Sequence, residues 1–170
     1  DVGSGKTMVA AAAAYVTAKN GAQSALMAPT EILAEQHYQS LRKLFAPMGI
    51  RVGLLTGSMT PKQKKLIREA IEAGEIDLAV GTHALLTDAT HFRNLGLVIA
   101  DEQHRFGVAQ RSKLSAKGKD PHLLVMSATP IPRTLALLMY GDLDVSVINE
   151  LPPGREAVDT FLVGESYRAR

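Results

Sequence analysis

The sequence contains no cysteine, which excludes a disulfide framework and any zinc site built on thiolates. It has almost no net charge: 19 Lys and Arg against 17 Asp and Glu leave +2. No global basic field exists to attract a polyanion, so any contact with nucleic acid has to be local. No apolar run is long enough for a membrane. The stretch Met8 to Ala18 falls well short of the roughly 20 residues that a spanning helix needs, and it follows Lys6-Thr7 and stops at Lys19, unlike a signal peptide. Internal repeats and low-complexity segments are missing as well, and the histidines His37, His83, His91 and His122 lack metal-ligand spacing. The expectation is a cytoplasmic protein with no membrane partner. What is present suits that: 46% hydrophobic and 21% charged residues over 170 positions are enough for one core without a staple.

Short apolar runs alternate with helical patterns along the chain. Met8 to Lys19 reads as a helix apolar nearly all round, suited to burial against a sheet, with Asn20-Gly21 as its left-handed stop. Ser24 to Ala28 reads as a strand, and Pro29-Thr30-Glu31 opens a helix with Ala34, Tyr38, Leu41 and Phe45 on one face, ended by Pro47-Met48-Gly49. Arg51 to Leu55 is the next strand. Thr60-Pro61-Lys62-Gln63 is a capping-box pattern opening a helix with Leu66, Ile67, Ala70 and Ile71 on its buried face and Gly74 at its end. Further strands are expected at Asp77 to Val80, Leu97 to Ala100, His122 to Met126 and Val145 to Ile148, with helices near Val108 to Ala116 and Pro132 to Tyr140. Strands alternating with long helices imply right-handed crossovers, so the expected fold is α/β: a three-layer sandwich with a mostly parallel sheet and helices on both faces.

The first residues carry the strongest chemistry. Gly3-Ser4-Gly5-Lys6-Thr7 directly before a helix is the end of a phosphate loop, G-x-x-x-x-G-K-[ST]. Glycines let backbone amides turn inward around a polyphosphate, Lys6 reaches its β and γ phosphates, and the Thr7 hydroxyl suits magnesium. The pattern's first glycine would lie one residue before Asp1, so the chain reads as a piece of a longer protein. Asp101-Glu102 follow the apolar run Leu97 to Ala100, and ligands of open parallel sheets bind at the carboxyl ends of strands. There Asp101 would hold magnesium, usually through water, and Glu102 would orient and deprotonate an attacking water. Pro29-Thr30-Glu31, Thr56-Gly57-Ser58 and Gly81-Thr82-His83 each follow an expected strand and combine hydroxyls with backbone N–H groups. Taken singly each is a cap or a turn; together, on one sheet edge, they suit phosphate oxygens. The cluster Lys62, Lys64, Lys65 and Arg68 reads as the solvated face of an amphipathic helix, and Phe106 and Tyr140 as core aromatics.

Asp101-Glu102-Gln103-His104 fits the D-E-x-[HD] pattern of superfamily 2 helicases, and Ser127-Ala128-Thr129 resembles the S-A-T motif that couples nucleotide state to strand separation in them. The longer strings Asp101 to Val108 and Ala128 to Leu135 are similar to the branch shared by RecG helicases and the transcription-repair coupling factor. Gly141 to Ile148, Glu150 to Arg155 and the glutamine at 103 favour the RecG family; Asn149 departs from the aspartate expected there. The resemblance covers nearly the whole chain. It implies a RecA-like lobe over residues 1–150, the first of two, with residues 151–170 starting a linker toward the second, and ATP and Mg2+ as cofactors. It also implies that the catalytic set is Lys6, Asp101, Glu102, Gln103 and His104. The three hydroxyl-bearing segments sit where this family contacts the nucleic-acid backbone. The implied partners are branched or double-stranded DNA, such as stalled forks and Holliday junctions in recombination and repair, the second lobe, and an amino-terminal wedge domain. In the family the second lobe supplies the arginine that stabilises phosphoryl transfer; Arg105 and Arg133 are not assigned that role, and these 170 residues alone are expected to hydrolyse little ATP. A coupling-factor translocase and a P-loop ATPase switch without nucleic acid remain the alternatives.

Overall fold

The structure is a computed structural model that describes residues 5–101, 117–127, 144 and 146–148. The first helix, α1 (Lys6–Lys19), leads into strand β1 (Gln23–Met27) through Asn20 and Gly21, whose φ is +74°. Then come α2 (Glu31–Phe45), a 3-10 turn (Ala46–Met48), β2 (Val52–Leu55), α3 (Pro61–Ala73), β3 (Leu78–Gly81), a second 3-10 turn (His83–Leu86), β4 (Leu95–Asp101) and β5 (His122–Met126). The five strands form one sheet in the order β2-β3-β1-β4-β5, and every pairing is parallel. Each crossover returns the chain to the same edge, so all carboxyl ends of the strands face one way.

Helices cover both faces because side chains alternate along each strand. Leu26, Leu78, Val80, Leu97 and Ile99 join α1 and α2 in one core. Ala25, Met27, Leu55, Ala79 and Val98 join Ile71 of α3 in the other. Leu95 and Leu97 have the same parity yet face opposite cores, since the pairing slips between Gln23↔Leu95 and Ser24↔Leu97. Gly96 is the extra residue of this bulge, and a Cβ there would stand 2.9 Å from the Cβ of Ala22.

Caps set the helix limits as the sequence suggests. Thr30 accepts from the Leu33 amide, and Thr60 and Gln63 form a reciprocal capping box. At the amino edge of the sheet the buried Gln23 amide donates to the carbonyls of Ile71 (2.8 Å) and Ile76 (2.7 Å) and accepts from the Asn94 amide at 3.1 Å. One side chain thereby ties α3, the approach to β3 and the approach to β4.

Two expectations need correction, at Leu66 and at Ser146 to Ile148. Helix α1 lies against the sheet as expected, though by one face only: it packs through Ala10, Ala11 and Ala14, while Met8, Val9 and Val16 are at least half exposed. Small residues let the helix lie close to β1 and β4, and a helix apolar on every side carries no signal of which face that will be. Leu66 is 57% exposed, because the stripe of α3 runs through Ile67, Ala70 and Ile71 and residue 66 lies a step off it. Ser146 to Ile148 are in no strand, with Val147 and Ile148 exposed; alternation makes a strand only where a sheet edge accepts it, and none among the described residues pairs there. The helices expected near 108–116 and 132–140 lie outside the described residues.

Candidate functional site

Gly5 opens α1 in the left-handed conformation, with φ 84° and ψ 8°. A Cβ there would meet nothing within 4 Å, so backbone conformation rather than space calls for glycine. The amides of Met8 and Val9 close the first turn onto its carbonyl, at 2.9 and 3.3 Å. Among the described residues no side chain caps this helix, and no acidic residue lies in its first turn, so the positive end of its dipole is not neutralised from within. A short turn joins α1 to β1, and α1 packs on β1 and β4. It therefore runs back along the sheet, which brings Lys6 and Thr7 to the carboxyl edge. Gly3 and Ser4 lie outside the described residues.

Asp101 is the last residue of β4, 9% exposed, and the imidazole Nε2 of His37 donates to its Oδ2 at 2.6 Å. Both side chains are 12% exposed. His37 lies three residues after Ala34 and four before Leu41, inside the buried stripe of α2. A titratable side chain there demands a polar partner, and that was the available signal for a residue that sequence reasoning set aside. Asp101 pairs in register with Met126, so Ser127, the residue just after β5, stands at the neighbouring strand end. Oxygen donors such as Thr7 and Asp101 match magnesium, which takes few protein ligands and keeps waters and phosphate oxygens. Accordingly, no cluster of three or more metal-ligating residues is needed, and none occurs among the described residues. Glu102, Gln103, His104, Ala128 and Thr129 lie outside them.

The ends of β1, β2 and β3 enclose a cleft of about 350 Å³ whose lining includes Pro29, Thr30, Glu31, Gly57, Thr82 and His83. Thr56, Ser58 and Gly81 flank those residues in the chain, and Thr56 and Thr82 are buried, at 4% and 3% exposure. The Thr56 and Ser58 hydroxyls are 3.3 Å apart. The structure thus brings together the three segments singled out from the sequence. It corrects one detail: the Ser58 amide does not await an anion but donates to Glu31 Oε1 at 2.9 Å. Hydrogen bonds from the Ser58 side chain and then its amide hold the Glu31 carboxyl below the ordinary carboxylate range, with a smaller pull from Lys64. Glu31 therefore buckles the loop after β2 to the start of α2, and a Cβ on Gly57 would come within 2.9 Å of its Oε1.

The basic cluster of α3 divides. Lys65 is exposed and pairs loosely with Glu69, at 3.8 Å, as a solvated face should. Lys64 and Arg68 instead line the cleft, so for them the solvated-face expectation fails. The phase of α3 decides this, since its buried side is set by Ile67 and Ile71 and the flank carrying residues 64 and 68 turns to the sheet's carboxyl edge.

Residues 1–138 match the DEAD/DEAH box helicase family. The chain is similar to the ATP-dependent DNA helicase RecG of Aquifex aeolicus, at 58% identity over 99% of this chain and 22% of that protein. It is similar to the RecG of Bacillus subtilis, at 58% over 96% of this chain and 24% of the relative. It thus spans about a quarter or less of the curated relatives it matches. A solved structure of RecG bound to a three-way DNA junction superposes with a TM-score of 0.77 at 52% identity, covering 93% of this chain and 21% of that one. A hypothetical ATP-dependent RNA helicase from Sulfolobus tokodaii, with a TM-score of 0.64 at 23% identity over 85% of this chain and 45% of its own, shares the fold. No helix among the described residues is long and apolar enough to cross a membrane.

Proposed function

Since the chain belongs to the DEAD/DEAH box helicase family, in which ATP is the fuel, we propose that it is the first motor lobe of a RecG-type DNA helicase acting on branched DNA. The observation supporting this reading is the convergence of the start of α1, Asp101, Ser127 and the cleft on one edge of a parallel sheet. Hydrolysis and strand movement then share one rigid platform.

In this reading the amides of Gly3, Ser4 and Gly5 surround the phosphates, Lys6 neutralises the transferring group, and Thr7 and Asp101 hold magnesium, which supplies charge stabilisation when bound. Glu102 takes the proton of the attacking water. Gln103 and His104 continue the cluster, and Ser127-Ala128-Thr129 passes the nucleotide state to the strand groove. Pro29, Thr30, Glu31, Thr56, Gly57, Ser58, Gly81, Thr82 and His83 form the floor of that groove. A second lobe and a wedge domain complete the machine.

The test is ATP hydrolysis by the full-length protein with and without a synthetic three-way junction. Stimulation by the junction is expected, roughly tenfold or more, as coupling of about 1.4 kcal/mol requires. Equal rates would favour an ATPase switch with no nucleic-acid role.

His37 has a place in the same reading, since its Nε2 bond fixes the orientation of the Asp101 carboxylate. Partners of metal ligands typically contribute 10- to 100-fold in metal affinity or activity. His37→Ala is therefore expected to raise the magnesium concentration for half-maximal ATPase about tenfold, with Asn at this position restoring part of it. A magnesium titration that overlays the wild type would remove His37 from the mechanism.

A further inference from the structure

The cleft at the ends of β1, β2 and β3 has a cationic wall that none of the three loop segments provides. Lys64 and Arg68 are four residues apart on α3, hence neighbours on one helix face, and both line the cleft. Among the described residues neither forms an ion pair. Lys65 and Arg51, by contrast, pair with Glu69 and Asp77.

Arg68 is held in place by neutral groups. Its Nε donates to Thr90 Oγ1 and its Nη2 to Thr87 Oγ1, each at 3.2 Å. Both hydroxyls are anchored in turn, donating to the Ala84 carbonyl at 3.0 and 2.9 Å, and Thr90 is fully buried. The guanidinium has five N–H donors, and these contacts use two. Its side-chain entropy is spent before any ligand arrives, which is what preorganises a charge for binding. Behind the same loop, Lys117 Nζ donates to the carbonyls of Thr87 and Thr90 at 2.8 Å. Burial pulls that ammonium below the ordinary lysine range; Asp88 acts against this and Arg68 with it. Lys64 reaches across the cleft to the Gly57 carbonyl, a neutral acceptor, and its charge acts on the Glu31 carboxylate only as a minor pull without an ion pair.

The cleft lies on the β2 and β3 side of β1, whereas Asp101 and Ser127 end the strands on the other side. An anion in the cleft would therefore be distinct from the nucleotide of the reading above. Resting on the helicase reading above, we propose that Lys64 and Arg68 each neutralise one backbone phosphate of a DNA strand lying in this cleft. Arg68 acts as a fixed charge, and Lys64 as one that leaves the Gly57 carbonyl for the phosphate.

Each neutralised phosphate of duplex DNA adds about 0.9 to the slope of log affinity against log salt. The test is binding of a fluorescent three-way junction to the full-length protein between low and high salt. Lys64→Gln and Arg68→Gln are each expected to lower that slope by about 0.9, and so to weaken binding roughly eightfold at 0.1 M salt. Arg68→Lys, which keeps the charge and gives up the threonine contacts, should hold the wild-type slope. Lys65→Gln should hold it too. Unchanged slopes in both glutamine variants overturn the proposal, and so does an Arg68→Lys slope that falls with Arg68→Gln, which would make the residue a brace for the loop. A wild-type protein that binds no junction at all defeats the helicase reading, and this one with it, which separates the two failures.

Discussion

Lys6→Ala in the full-length protein is expected to cut DNA-stimulated ATP turnover at least about a hundredfold, the typical loss when one preorganised donor to developing charge is removed. Lys6 is the first residue of α1, in a first turn that holds no acidic residue, so its ammonium and the helix dipole act on the same phosphates. An alanine leaves the dipole and removes the charge that follows the transferring group. Glu102→Gln should lose at least as much while nucleotide binding survives, since it removes the base and keeps the shape. Steady-state phosphate release alongside binding of a fluorescent nucleotide checks both. Near-normal turnover in either variant would place the hydrolytic centre elsewhere.

Gly81→Ala is expected to destabilise this domain by about 3 kcal/mol, at the upper end for an overpacked core site. Gly81 pairs with Met27 on one side and Leu55 on the other. A Cβ there would lie 2.1 Å from the Leu55 carbonyl oxygen and 3.1 Å from Leu85 Cγ. The first obstacle is backbone, so no rotamer relieves it and β2 must move from β3. That shift also strains the bond from the Thr82 amide to the Leu55 carbonyl. At this chain length the loss corresponds to a melting transition lower by about 10 °C. Gly5→Ala offers the contrast, because it meets strain in φ alone and should cost about 1 kcal/mol. A Gly81→Ala protein melting within about 2 °C of wild type would show that the strands separate at little cost.

The sequence announces what rests on local rules. The limits of β5, the capping box of Thr60 and Gln63 and the stops at Gly21 and Gly74 follow from periodicity, side-chain capping and positive φ, which act within a few residues. The parallel sheet follows from alternation of strands with helices. Strand order does not, and neither do contacts between residues far apart in the chain. His37 meets Asp101 across 64 positions and Glu31 meets Ser58 across 27; each needs the intervening crossovers to be correctly laid before it can be seen. The helix α1 exposes Val9 and buries Ala10 because its neighbours require close approach, and no count of apolar residues carries that. Lys64 and Arg68 were hidden for a related reason: a charged flank looks the same whether it faces water or a cleft.

The order β2-β3-β1-β4-β5 also bears on how the chain is born. Strand β1 is made before the other four described strands and sits at their centre, yet its two neighbours, β3 and β4, are residues 78–81 and 95–101. While the intervening helices leave the ribosome, both of its hydrogen-bonding edges are open to any other strand in the cell. Its composition answers that exposure. Gln-Ser-Ala-Leu-Met lacks the β-branched and aromatic residues that favour strands, so it stays a poor partner until β3 and β4 come to claim it.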